Sequence, residues 1–303
     1  MAVRVWLGTF AGQIGNWDEG HNWLDEDGAD AGVVPVADDD VYFTSGSQDV
    51  QADTVDSSGV TLTSLNFGVK WTGSFVEVVN PTSGVTTTDT LAVAEINATS
   101  LDYANKLGSV GLEGTFTTVN VQATSIDSPA LKFQASTITN LHVTGGSGTV
   151  FVDENSTVSG SINMIGASSV KVEIESNATV SAADLTIDKG TFLTYMGCDT
   201  ITQYGGTVAI LTSTQTTNAI TMYKGTCKYK PTDDATLTAL VIYGGYFDMR
   251  GCNAPTHTIT NATIYSGSMI DERNGLENAV YTNPILSNGG VFMPDLGRSI
   301  TVT

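Results

Sequence analysis

Basic residues are scarce in this chain. Lys and Arg total 12 against 32 Asp and Glu over 303 residues, a formal charge of −20. That excess repels phosphate backbones and anionic bilayers, which excludes nucleic acid and membrane surfaces as expected partners. Cysteine is sparse too. Cys198, Cys227 and Cys252 stand far apart in the chain, with no Cys-x-x-Cys. An odd count at such wide spacing argues against a closed disulfide framework and reads as free thiols in repeat positions. No run approaches 18 apolar residues, so no segment reads as a membrane-spanning helix. The opening Met-Ala-Val-Arg-Val-Trp-Leu-Gly-Thr-Phe lacks the long apolar core of a secretory signal, and the expectation is a chain made and assembled in a host cytoplasm. His21, His142 and His257 are isolated, with no metal-ligand spacing, so no cofactor is expected. From Gly114 onward no window spanning a few turns of helix carries a helical stripe, which argues against leucine-rich, ankyrin and HEAT repeats.

What the sequence does have is a repeat. A Gly, a small residue and an apolar one recur as Gly114-Thr115-Phe116, Gly148-Thr149-Val150, Gly190-Thr191-Phe192, Gly206-Thr207-Val208 and Gly225-Thr226-Cys227. Looser copies follow at Gly245, Gly267 and Gly290, and an early one at Gly73. From Gly190 onward the steps lengthen gradually from copy to copy. Their mean is a period of about 20 residues, in the range that marks stacked repeats. A second marker, Asn-Ala-Thr or Asn-Ser-Thr, stands at Asn97, Asn155, Asn177 and Asn261 and keeps a similar period. These are glycosylation-type acceptors, but their spacing reads as a ladder of turns. Between the markers lie short alternating runs of β-formers such as Val170-Lys171-Val172-Glu173-Ile174 and Leu240-Val241-Ile242-Tyr243. Together they predict an all-β chain, a parallel β-helix or β-solenoid with rungs of about 20 residues, glycine or asparagine at the positive-φ corners and aliphatic columns inside. Leu101–Leu107 reads as the one short helix.

Residues 1–45 differ from the rest. They hold Trp6, Trp17 and Trp23 and acidic clusters at Asp25–Asp30 and Asp38–Asp40. A solenoid end exposes open strand edges, so this segment reads as a Trp-rich N-terminal cap or attachment segment, followed by a body at 46–275 and closing strands at 276–303. Within it, Trp6-x-Gly8, Gly15-Asn16-Trp17, Asn22-Trp23, Val34-Pro35 and Asp39-Asp40-Val41-Tyr42-Phe43 form an ordered set. That set resembles the opening of a loosely defined group of β-solenoid structural proteins of tailed bacteriophages and prophages, and related openings on large bacterial surface proteins. The likeness is confined to this opening segment and brings no catalytic residues with it. The acidic insertion around Asp25–Asp30 departs from that pattern.

Candidate chemistry is thin. Asp25-Glu26-Asp27-Gly28-Ala29-Asp30 alternates carboxylates around a glycine but lacks the spacing and terminal Glu of an EF-hand, and reads first as a solvated acidic turn. Polysaccharide lyases and hydrolases built on β-helices need a carboxylate pair, or a base beside clustered Asp. The carboxylates at Asp153, Glu154, Glu173, Glu175, Asp188 and Asp199 are scattered over different turn phases, as are Asp233, Asp234, Asp248 and Asp271. Lys224, Lys228, Lys230, Arg250 and Arg273 are the one basic cluster of the body and read as an exposed face. Tyr204, Tyr223, Tyr243 and Tyr265 each precede a repeat glycine by one or two residues and predict an aromatic column along one edge. That column is either a packing ladder or a contact surface for sugar or a partner. With Trp6, Trp17 and Trp23 these tyrosines make the set of candidate interaction residues.

The expected function is non-enzymatic, and the resemblance implies a bacteriophage virion structural protein, first of all an outer-capsid decoration protein. The resemblance implies a homotrimer, with the major capsid protein or another virion protein as partner. Roughly ten rungs at about 4.8 Å give a body of about 50 Å, short for a tail fibre. The alternatives are a tail fibre or spike that binds host surface glycans, a polysaccharide depolymerase, and a module of an exported bacterial surface protein.

Overall fold

The structure, a computed structural model, describes residues 2–76, 91–127, 129–153, 155–166, 169–176, 178–180, 184–211, 217–232, 234–252, 256–271, 278–294 and 300–302. The chain is an all-β solenoid of parallel strands. Among the described residues helix is confined to two single 3-10 turns, Gly20–Asn22 and Ala52–Thr54. Two compact units are distinguished, 1–157 and 158–303.

In the second unit the alternation seen in the sequence becomes stacking. Leu185, Ile201, Ile220, Leu240 and Ala262 are partners in successive strands, so one inward position repeats down the coil. On the other face Phe192, Val208, Cys227, Phe247, Met269 and Phe292 stand in the same relation. Nearly all are fully buried. Burying each such aliphatic or aromatic side chain contributes roughly 1.5–3 kcal/mol, enough to hold short strands whose own propensity is weak. Rungs here differ in length, from a short one between Thr191 and Thr207 to a long one between Ser268 and Val291. Much of the difference is taken up in the middle strand, which lengthens from Thr200–Gln203 through Thr217–Met222 and Ala235–Ile242 to Thr256–Ile264, while strand register is kept.

The glycine phrase has two physical causes at once. At Gly190, Gly206, Gly225, Gly245 and Gly267 φ lies between +68° and +91°, where a Cβ is strained. The corners are also pressed together: a Cβ on Gly225 would lie 2.4 Å from the Gly206 carbonyl oxygen, and one on Gly245 2.6 Å from that of Gly225. Gly148 obeys only the second rule, since its neighbour Gly146 takes the positive φ.

The first unit repeats the design around larger side chains. Phe43, Phe67, Tyr103, Val121 and Val143 form one inward column. The Phe43 and Phe67 rings are parallel within 11° at 4.7 Å. Over this column sits the cap. The strand Val3–Trp6 pairs antiparallel with Trp23–Leu24 and parallel with Asp40–Gly46, so the strand at residue 45 belongs to cap and first rung alike.

Several expectations need correcting. Leu101–Leu107 is no helix. The strand Val93–Tyr103 runs through Leu101, and Asn105 then closes a tight turn, its Oδ1 accepting from the Leu107 and Gly108 amides while its Nδ2 donates to the Gly73 carbonyl. Inward pairing of Leu101 with Leu65 and Val119 outweighs the helix propensity of the short run. The Asn markers are not one ladder of turns. Asn97 and Asn261 lie inside strands, and only Asn155 occupies a turn, at φ 62°, among the described residues. Asn177 lies outside the described residues, as do Glu154, Asp233 and Arg273.

Gly225→Ala is expected to destabilise the protein by at least about 2 kcal/mol, through strained φ and the carbonyl contact together. Gly28→Ala, at φ +78° with nothing within 4 Å, meets only the first cost, about 1–2 kcal/mol. Urea unfolding midpoints compare the two. Equal losses would remove the close-approach argument.

Candidate functional site

The opening residues form a cap with its tryptophans turned inward. Trp6, Trp17 and Trp23 are buried, and their rings meet one another and Phe43 at 4.7–6.5 Å. Gly8 lies over the Trp6 ring, where a Cβ would come within 2.7 Å of it. The buried Asn22 amide donates to the Gln13 and Asn16 carbonyls and accepts from the Phe10 amide. The Trp23 indole donates to the Trp17 carbonyl at 2.8 Å. Asp39 accepts from the Ala2 and Val36 amides and from Arg4. Each of these motif residues therefore holds the cap together. As surface contacts the three tryptophans are ruled out by their burial.

The acidic insertion is likewise occupied. Asp25 accepts from the amides of Asp27 and Ala29, and Asp30 from that of Gly32. Asp30 also meets His21 Nδ1 at 2.6 Å. Among the described residues no cluster of three His, Cys, Asp or Glu is placed to hold a metal.

The scattered carboxylates stay scattered. Asp153 pairs with Lys132, Glu173 with Lys171, and Asp248 with Arg250. Burial works to raise the Asp248 carboxyl, and the hydrogen bonds from Arg250 more than offset it, leaving it below the usual value. Asp188 accepts from the Gly166 amide, Asp234 from that of Thr256, and Asp271 from the Tyr281 hydroxyl. Asp199 is bonded to Asn218. Of the basic cluster, Lys224 and Lys228 are exposed, and Arg250 lies 5.6 Å over the Tyr246 ring. The three cysteines are buried and form no disulfide, and burial pushes the Cys198 thiol up to about 12 and raises that of Cys227 as well, so neither of these two is a reactive thiolate. His142 faces outward beside Asn120, and His257 is buried against Tyr229.

What the fold does bring together is the tyrosine column. Tyr204, Tyr223, Tyr243 and Tyr265 each begin a short corner that ends on a repeat glycine. Their amides donate at 2.7–2.8 Å to the carbonyl that closes the matching strand one rung back: Ile187, Gln203, Met222 and Ile242. That bond fixes each Cα above the last. The rings follow, with centroids 5.0, 5.1 and 4.9 Å apart and planes within 11°, 10° and 3° of parallel. All four stay 41–50% exposed. Beneath them Gln203, which nothing in the sequence marks, stands in an otherwise aliphatic column and donates to the carbonyls of Gly206 and Thr226. It ties two corners together from inside. The column ends on Asp188 in the preceding rung and Asn288 in the following one, whose amides bond in the same way to Met164 and Ile264.

In the first unit Gly68, Ala104, Tyr42, Asn66, Asp102 and Gln122 are among the residues that line a cleft of about 300 Å³. Asn66 and Asp102 are already engaged there, with the Val41 carbonyl and with Asn120. Comparison with protein families, curated proteins and solved structures gives no match for this chain.

Tyr223→Ala removes two ring contacts and Tyr204→Ala one. The expected losses are about 1–3 and 0.5–1.5 kcal/mol, read from unfolding midpoints. Equal losses would mean that the rings do not act as a stack. In the cap, the hydrogen bond to Asp30 raises the His21 pKa above 6.5, and the same bond lowers that of Asp30 below 3.8. The histidine contribution is complete below pH 6.5 and lost as pH rises through its folded value. The aspartate contribution is present above pH 3.8 and lost on acidification. NMR titration should place the His21 midpoint above 6.5, and Asp30→Asn should bring it back. An unchanged midpoint in that variant would assign the shift elsewhere.

Proposed function

We propose that this chain is a non-enzymatic structural protein of a bacteriophage virion, an outer-capsid decoration protein assembled as a homotrimer. One observation supports the reading above others. The ordered opening residues that resemble those of phage structural proteins act here as one unit, a buried tryptophan cap seated on a parallel β-solenoid. A β-solenoid carrying such a cap is compatible with that reading. The charge of −20 is in keeping with a body held in solvent and kept from sticking to neighbouring copies. The pairing of Asp153, Glu173 and Asp248 with basic side chains suits a scaffold better than a hydrolase, whose acid and base must stay available.

Particles of the phage or lysogen encoding the chain, purified on a density gradient, should contain its peptides by mass spectrometry. Gold-labelled antibody should decorate their heads. Light scattering should give the mass of three chains, with a band of that size surviving unheated SDS. Label confined to the tail would move the protein to a fibre or spike, and absence from the particles would sink the virion reading.

A further inference from the structure

On its strand side the tyrosine column borders a surface without charge, while at the corner the exposed Lys224 follows Tyr223. On the strand side of the corner, the outward position two residues before each tyrosine holds Thr202, Thr221, Val241 and Thr263, partners in register. The next position out holds Thr200, Ala219, Ala239 and Asn261. In a chain with 12 basic and 32 acidic side chains, none falls on these positions or on the four tyrosines. The strip stops at the preceding rung, where Asp184 accepts from the Thr200 hydroxyl and Asp188 heads the tyrosine column.

We propose that this strip binds an uncharged linear polysaccharide lying along the rung-stacking direction. Three features select that occupant. With Lys224 the one charged side chain at these four corners and none on the strand side, the strip offers a polyanion or polycation no row of charges to match its repeat. The ring faces, with centroids 4.9–5.1 Å apart, are largely spent on one another, so what the half-exposed tyrosines offer a ligand is their edges and hydroxyls, next to a ledge rich in threonine. Such a line of donors and acceptors suits a polymer of hydroxylated rings better than a single flat ligand. Size argues against a second copy of the chain. Four rungs at about 4.8 Å and four residues at about 3.3 Å cover about 250 Å², against the roughly 800 Å² per partner of a stable protein interface. The inference goes beyond the virion proposal and does not depend on it, since it holds wherever the chain is displayed.

The test is affinity electrophoresis of the purified full chain through gels containing uncharged glucans, mannans, galactans or xylans, with polygalacturonate as the charged control. Retardation by at least one uncharged polymer, absent with polygalacturonate, is expected. Tyr223→Phe/Tyr243→Phe keeps the stack but removes two hydroxyls, and should weaken that binding at least about tenfold with an unchanged unfolding midpoint. Thr221→Asp puts a charge on the ledge from an outward position and should abolish retardation. Three results would each overturn the proposal: no retardation by any uncharged polymer, retardation by polygalacturonate as strong as by the uncharged ones, or full binding by the double Phe variant.

Discussion

The structure depends on one constraint: a parallel rung must sit on the rung before it in strict register, at the spacing of β hydrogen bonds, about 4.8 Å. Each side chain then lies against its counterpart one turn earlier and one turn later. Inside, this rewards any apolar residue at a column position, which is why Val208, Cys227 and Phe247 succeed one another without disturbing the strands. At the corners it brings backbone against backbone, and only a residue without a Cβ fits between the Gly206 carbonyl and the next rung.

The same constraint governs charge. Two carboxylates in one outward column would stand about 5 Å apart and repel by roughly 0.8 kcal/mol in water and about 3 kcal/mol at an effective dielectric of 20. A chain of charge −20 must interleave them. Asp102 is followed by Asn120, which donates to it, Asp184 by Thr200, and Lys228 by Asp248. Glu95 opposite Glu113 departs from this pattern, with Glu95 exposed. Acid is therefore pushed toward corners and rung ends, and the faces between are left to threonine, alanine and asparagine. The uncharged strip beside the tyrosines is an extreme case of that rule.

How far the sequence can be read follows from how many constraints act on one position. The corner glycines are legible because positive φ and close approach both demand glycine and recur every rung. The tyrosines are legible through their fixed offset from those glycines. Asn97 and Asn261 mislead, because an asparagine that ties one rung to the next from within a strand looks the same in sequence as one that turns the chain, as Asn155 does. Leu101–Leu107 misleads because so short a run cannot separate a helical period from a strand followed by a turn. Gln203 is invisible: a polar residue in an inward column is recognised only once the carbonyls that it serves are placed. The tryptophans are legible as a group, while their direction is not, since the Gly8 and Asn22 contacts that turn them inward are made across the cap.

The tyrosine column shows how packing and recognition divide a side chain between them. Four exposed aromatics at random would leave eight ring faces in water. Stacked at rung spacing, six of those faces are covered by neighbours and only the outer faces of Tyr204 and Tyr265 remain. The column is thus stabilised by the solenoid and stabilises it in turn, by about 0.5–1.5 kcal/mol per pair. What is left over for any outside partner is the ring edges and hydroxyls, carried on a backbone whose pitch is set by the hydrogen bonds that hold the tyrosine amides to the rung below. A ligand would meet a comb already at fixed pitch, with its ordering entropy spent during folding, and specificity would reside in the repeat distance more than in any single tyrosine.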